Sequence, residues 1–151
     1  MKVTGIVSAI LARKGSAVWS IGPNTTVFDA IQQMAEKNVG ALPVVDNGTL
    51  VGIVSERDYT RKVILLGKSS KETPVKDVMT KELLTVSPGD SVNECMEIMT
   101  EKRVRHLLVM EGTKLVGILS IGDLVNWFIS AQKAAIENLE RYATGDYPSG
   151  Y

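Results

Sequence analysis

The sequence predicts an α+β protein made of two β-α-β-β-α units related by a pseudo-twofold axis, with an N-terminal helix and an extended C-terminal helix. Two observations predict it. The first is an internal repeat: residues 21–58 lie on residues 86–123 without a gap. Pro23 meets Pro88, Met34 meets Met99, and Leu50-Val51-Gly52-Ile53-Val54-Ser55 meets Leu115-Val116-Gly117-Ile118-Leu119-Ser120, followed by Asp58 on Asp123. The second is the apolar pattern, which switches between helical spacing and nearly continuous short runs in both copies. Two copies are too few for a solenoid. The units are expected to pack on one another, and the crevice between them is the natural ligand site.

Each element follows from local signals. Val3, Ile6, Val7, Ile10 and Leu11 recur at helical spacing, and Arg13-Lys14-Gly15-Ser16 ends that helix. Ala17–Ile21 reads as a short strand broken by Gly22-Pro23-Asn24. Thr26 caps a helix whose apolar face is Val27, Ala30, Ile31 and Met34, with Asp29 as a weak capping-box partner. In the second copy Ser91 and Glu94 form a fuller capping box before Val92, Cys95, Met96 and Met99. Ala41–Val45, the turn Asp46-Asn47-Gly48 and Leu50–Val54 make a β-hairpin. Its apolar strands imply burial on both faces. Ser55 opens a helix through Leu66, stopped by Gly67. The whole pattern recurs from Leu84 to Ile129.

Residues 1–73 are read as the first unit with its N-terminal helix and a polar linker, 74–144 as the second unit with its long helix, and 145–151 as a flexible tail. Pro74-Val75 and Val78-Met79 lead into a short helical turn, the counterpart of Val7–Leu11. The last helix outruns the repeat: Val125, Phe128, Ile129, Ala135, Ile136 and Leu139 give it an apolar side that the repeats do not need, which suggests a partner chain.

Composition narrows the function. Lys+Arg and Asp+Glu balance at 17 each, so net charge points neither to nucleic acid nor to an anionic membrane. No apolar run is long enough to cross a bilayer, and no signal peptide is read at the N-terminus, so a cytoplasmic location is expected. The single cysteine, Cys95, excludes an internal disulfide and falls on an apolar helical position as a core thiol. The methionines at 34, 79, 96 and 99 read as core. Neither a G-x-x-x-x-G-K loop, a G-x-G-x-x-G nor a G-x-S-x-G elbow occurs, and the lone histidine, His106, cannot build a metal site without other strong ligands.

The constellation with chemical content is Ser-x-x-Asp, present as Ser55…Asp58 and Ser120…Asp123, each after a buried strand and opening a helix. A carboxylate there can accept two hydrogen bonds from vicinal ribose hydroxyls. The serine hydroxyl and free N–H groups of the helix start suit a phosphate. The same residues also make a capping box, and the two roles are compatible.

The repeat resembles the cystathionine β-synthase (CBS) domain pair over about residues 17–129. Gly40-Ala41-Leu42-Pro43-Val44-Val45-Asp46 and Leu50–Asp58 carry the likeness in the first copy, and Val104–Met110 and Leu115–Asp123 in the second. The second copy departs at Leu108, where the family often has proline, which is expected to alter a strand end. The resemblance implies an adenosine ligand, AMP first, with ATP, ADP, NAD or S-adenosylmethionine as alternatives, bound in clefts between the copies. It also implies a homodimer and a regulated protein that the sequence does not identify.

Carried over, the first cleft joins Ser55, Arg57 and Asp58 to Thr85, Val86, Arg105, His106 and Leu107. The second joins Ser120, Gly122 and Asp123 to Ser20, Ile21, Gly40, Ala41 and Leu42. Arg105 and His106 align with Gly40 and Ala41, so the first cleft is expected to hold the phosphate-neutralising cations and to bind more tightly. Arg57, Arg61 and Lys62 are either a basic wall of that cleft or a solvated helix face, and Arg103 with Arg105 is open in the same way. His106 is a phosphate neighbour or a polar strand end, and Trp19 an adenine contact or strand packing. Three functions remain in view: a nucleotide-sensing module with no catalytic residue, a structural dimer with empty clefts, and an enzyme acting on the bound nucleotide, for which the sequence supplies no general base.

Overall fold

The computed structural model describes residues 5–15 and 17–144. Val3, Ser16 and the tail 145–151 lie outside the described residues. The elements are helix α1 (Val7–Lys14), helix α2 (Val27–Lys37), strand β1 (Ala41–Asp46), strand β2 (Thr49–Ser55), helix α3 (Glu56–Tyr59), strand β3 (Thr85–Val86), helix α4 (Val92–Lys102), strand β4 (His106–Glu111), strand β5 (Lys114–Ser120) and helix α5 (Ile121–Thr144).

Both hairpins form in the same register. Asp46 pairs with Thr49 and Glu111 with Lys114, and each ladder carries one irregularity at the same place, between Val44 and Val45 and between Val109 and Met110. Asn47 (φ 48°) and Gly48 (φ 82°) give the first turn its left-handed pair, which matches the twist of a two-residue hairpin. Thr26 and Ser91 cap α2 and α4 by accepting from the N–H groups of Asp29 and Glu94.

Two expectations are corrected. Ala17–Ser20 forms no strand; only Ile21 pairs, through a single parallel bridge to Val44. Ile21 N–H donates to Pro43 O, but Pro43 has no N–H to return. At the matching position Leu108 N–H donates to Leu84 O at 3.1 Å, and the two-residue strand β3 forms against β4. The Pro-to-Leu difference between the copies is thus one ladder bond. The helix read as Ser55–Leu66 is α-helical only through Tyr59 and continues as a π turn over Thr60–Ile64, with Leu65 N–H reaching Thr60 O. Gly67 (φ 68°) then ends the rotation.

The pseudo-twofold axis is visible in the hydrogen bonds. Val7 N–H donates to Asp90 O and Ser8 N–H to Pro88 O; correspondingly, Val75 N–H donates to Thr25 O and Lys76 N–H to Pro23 O. The partners in this exchange belong to opposite units. Val7 and Ile10 enter the core formed by Val86, Val92, Cys95, Met99, Leu107, Val109, Leu119 and Leu124. Val75 and Val78 enter the core formed by Ile21, Val27, Ala30, Met34, Leu42, Val44, Val54 and Val63. Leu11 packs over Gly117 and Met79 over Gly52, where a Cβ would stand 2.7 Å from each side chain. Cys95 is buried, and burial pushes its thiol up to about 11, as expected of an inert core thiol.

Candidate functional site

A cavity of about 580 Å³ opens between the two units. The first unit contributes Gly40, Ile53, Ser55, Glu56, Arg57, Asp58, Arg61 and Lys62; the second contributes Glu82, Leu84, Arg103, Val104, Arg105, His106 and Leu108, and Thr80 sits between. Of the residues expected in the first cleft, Ser55, Arg57, Asp58, Arg105 and His106 come together here. Thr85, Val86 and Leu107 do not line it; Val86 and Leu107 are core residues. Sequence reasoning left Arg61, Lys62 and Arg103 undecided, and the structure puts all three on the wall. Thr80, Glu82 and Leu84 lie before or at the start of the second repeat and carried no signal.

Asp58 is the buried acid of this wall, 8% exposed. Its Oδ2 accepts from Ser55 N–H (2.9 Å) and Ser55 Oγ (3.1 Å), while Asp58 N–H donates back to Ser55 Oγ. Its Oδ1 accepts from Thr80 Oγ1 at 3.3 Å and faces Lys62 Nζ at 3.0 Å. Lys62 also donates to Val78 O, which ties the acid to the crossing segment. The capping box is therefore formed, and it alters the anticipated phosphate chemistry. The N–H groups of Ser55 and Asp58 are taken by the box, and Glu56 N–H donates to Gly40 O at 3.0 Å. Those three N–H groups are engaged, and the charged donors on this wall are side-chain cations.

His106 does not supply such a cation at neutral pH. Burial, then the nearby Lys14 charge, lowers its pKa to about 4; Asp123 pulls the other way and Arg105 adds to the lowering. A Cβ on Gly40 would meet Glu56 Oε1 at 3.1 Å and the His106 ring at 3.5 Å, so glycine keeps this part of the cleft open. Trp19 does not line this cavity; it is exposed, with Lys37 Nζ 4.1 Å from its ring centroid.

A hollow of about 390 Å³ lies between α1 and α5, lined by Ile10, Arg13, Lys14, Asp123, Asn126, Trp127, Ile129 and Ser130. Asp123 is the only expected residue on it. Ser20, Ile21, Ala41, Leu42, Ser120 and Gly122 do not line it, and Gly40 belongs to the first cavity. Ile21, Ala41 and Leu42 are buried. Asp123 repeats the bonding of Asp58, accepting from Ser120 N–H at 2.8 Å, but its Oδ2 is also held by Lys14 Nζ at 2.6 Å. Lys14 comes from α1 and donates further to Ile118 O. Among the described residues, no helix is long and apolar enough to cross a membrane.

The CBS domain-containing protein CBSX3 of Arabidopsis thaliana, described as mitochondrial, is 42% identical over 138 residues, which is 88% of this chain and 66% of that protein. A solved CBS-domain protein of Burkholderia ambifaria, for which a role in signal transduction has been suggested, superposes with a TM-score of 0.82 at 48% identity, covering 85% of this chain and 96% of that one. The CBS pair of protein MJ0100, solved with 5′-methylthioadenosine and S-adenosylmethionine, shares the fold at a TM-score of 0.75 and 22% identity, covering 84% of this chain and 98% of that one. The CBS domain itself matches twice, over residues 7–64 and 75–130, and the chain belongs to the CBS domain family.

Proposed function

We propose that the protein is a regulatory module that binds an adenosine nucleotide in the first cleft without transforming it, and passes its occupancy to another protein. The observation that carries this reading is Asp58: a nearly buried carboxylate on the wall of an inter-unit cavity, with basic side chains beside it. The cavity volume falls within the roughly 300–1,000 Å³ range of small-molecule sites. Asp58 receives the ribose hydroxyls, and the arginines receive the phosphate. The adenosine derivatives held by the MJ0100 pair show that this fold accommodates such ligands in that protein. Because the cavity wall comes from both units, a ligand that prefers one arrangement of the units shifts their equilibrium by its differential affinity.

Two chains pair in this reading. Ile129, Ile136 and Leu139 leave more than half of their surface exposed along α5, and a second copy would cover them. The cytoplasm remains the proposed location. Thermal-shift measurements with AMP, ADP, ATP, NAD and S-adenosylmethionine test the function, because a ligand that binds only the folded state raises its apparent stability. A rise with at least one of them is expected; no shift with any of them leaves only the scaffold reading, in which α5 is the working surface.

A further inference from the structure

The repeat contains its own control. Five cations line the first cavity: Arg57, Arg61, Lys62, Arg103 and Arg105. At the matching places in the other copy stand Gly122, Asn126, Trp127, Asn38 and Gly40. Every positive charge of the wall is thus absent from its repeat partner, although Ser55 and Asp58 are matched by Ser120 and Asp123. Lys14 of α1 stands in for Lys62 beside Asp123, but a frame shared by both halves does not require the four arginines, so folding alone does not explain them.

Their surroundings point the same way. The wall carries three carboxylates, Glu56, Asp58 and Glu82, and one of them, Asp58, is already paired with Lys62. Among the described residues Arg61 and Arg105 make no ion pair, and Arg57 donates only a long bond, 3.4 Å, to the carbonyl of Arg103. Arg103 ends α4 in the left-handed region (φ 53°, ψ 42°), as Asn38 ends α2 (φ 54°, ψ 47°). Asparagine tolerates that conformation, whereas arginine gains nothing from it locally. The arginine is kept where the local rule favours the other copy's residue, and it stands at the cavity.

We infer that the first cleft selects its ligand by phosphate number, favouring an adenosine di- or triphosphate over the monophosphate and rejecting the sulfonium-bearing S-adenosylmethionine. This rests on the adenosine reading above and sharpens it. One phosphate uses one or two guanidinium forks. The remaining cations find partners only when a second and third phosphate follow. A ligand carrying a net positive charge meets an excess of like charge in the same space.

Calorimetric titration of the full chain with AMP, ADP, ATP and S-adenosylmethionine, without divalent metal, tests this. ATP should bind on the order of tenfold or more tightly than AMP. Its affinity should also fall more steeply between low and moderate salt. The variants Arg103→Asn and Arg61→Asn install the other copy's residues, the second at an exposed helical position that the fold tolerates. Each should shrink the ATP-to-AMP ratio several-fold while AMP affinity changes less. AMP binding as tightly as ATP, or preference for S-adenosylmethionine, overturns this inference and leaves the adenosine reading standing. Failure of every adenosine compound to bind overturns both.

Discussion

Lys14 Nζ lies 2.6 Å from Asp123 Oδ2 and, from the last turn of α1, also donates to the Ile118 carbonyl. Asp58 faces a lysine as well, but Lys62 comes from four residues along its own helical segment and is 43% exposed. The two ion pairs therefore do different work. The Lys14 pair joins segments more than a hundred residues apart, and Lys14 also holds the Ile118 carbonyl, so Lys14→Ala should destabilise the fold by about 1 kcal/mol. Lys62→Ala should cost about half as much or less, because its pair lies within one helical segment and Asp58 keeps its bonds from Ser55 and Thr80, yet weaken nucleotide binding. Urea midpoints and calorimetry on the two variants separate the roles; the reverse ranking in stability would contradict them.

Asp58 serves the backbone and the proposed ligand together, so its replacement must be examined in both respects. Asp58→Ala removes the acceptor for Ser55 N–H and the lysine's partner, at a cost of about 1–2 kcal/mol. It also removes the acceptor proposed for the ribose hydroxyls, and nucleotide affinity should fall by roughly one to two orders of magnitude. Asp58→Asn retains an acceptor for Ser55 N–H while losing the charge. Its stability should lie near that of the parent and its affinity between the two. Unchanged affinity in the alanine variant would refute the assignment.

The sequence carried the hairpins, the two long capped helices and the Ser-x-x-Asp turns, because each rests on contacts within about ten residues. It also carried the asymmetry at Leu108, since a missing proline restores one N–H. The strand at Ala17–Ser20 was not legible as absent: its residues suit a strand, and whether the partner can donate depends on Pro43, more than twenty residues later. The contact between Lys14 and Asp123 was beyond reach for a similar reason. Nothing local in Arg13-Lys14 shows that α1 crosses to the far unit and covers Asp123. Arg61 and Lys62 read equally well as a solvated helix face until Glu82, Arg103 and Arg105 stand opposite them.

The exchange of segments between units should be measurable through two glycines. At Gly52 an added Cβ would stand 2.7 Å from Met79 Sδ and 3.0 Å from the Thr80 carbonyl. At Gly117 its three nearest neighbours would all be Leu11 side-chain atoms, with Cδ2 at 2.7 Å. A side chain can move aside more readily than a backbone carbonyl. Both substitutions by alanine should destabilise by overpacking, on the order of 1–3 kcal/mol, with Gly52→Ala the more severe. Leu11→Ala should relieve part of the Gly117→Ala cost in a double-mutant cycle, and strict additivity would show that the two do not meet.

His106 gives the fold a pH dependence of defined direction. Its pKa is about 4 in the folded protein, mainly through burial and the Lys14 charge, against an ordinary value of 6.5. Between those two values the unfolded chain binds more protons at this site than the folded one. Stability therefore falls as pH drops from about 6.5 and levels off for this group below about 4. The loss between pH 7 and pH 5 should be on the order of 1–2 kcal/mol. His106→Gln cannot charge, so its stability should change less across that interval, and the difference between the two curves isolates the histidine from the carboxylates that titrate lower. Lys14→Ala, by removing a repelling charge, should raise the histidine's pKa toward its ordinary value and flatten the slope. Parallel curves for His106→Gln and the parent would show that the imidazole is not held neutral by its surroundings.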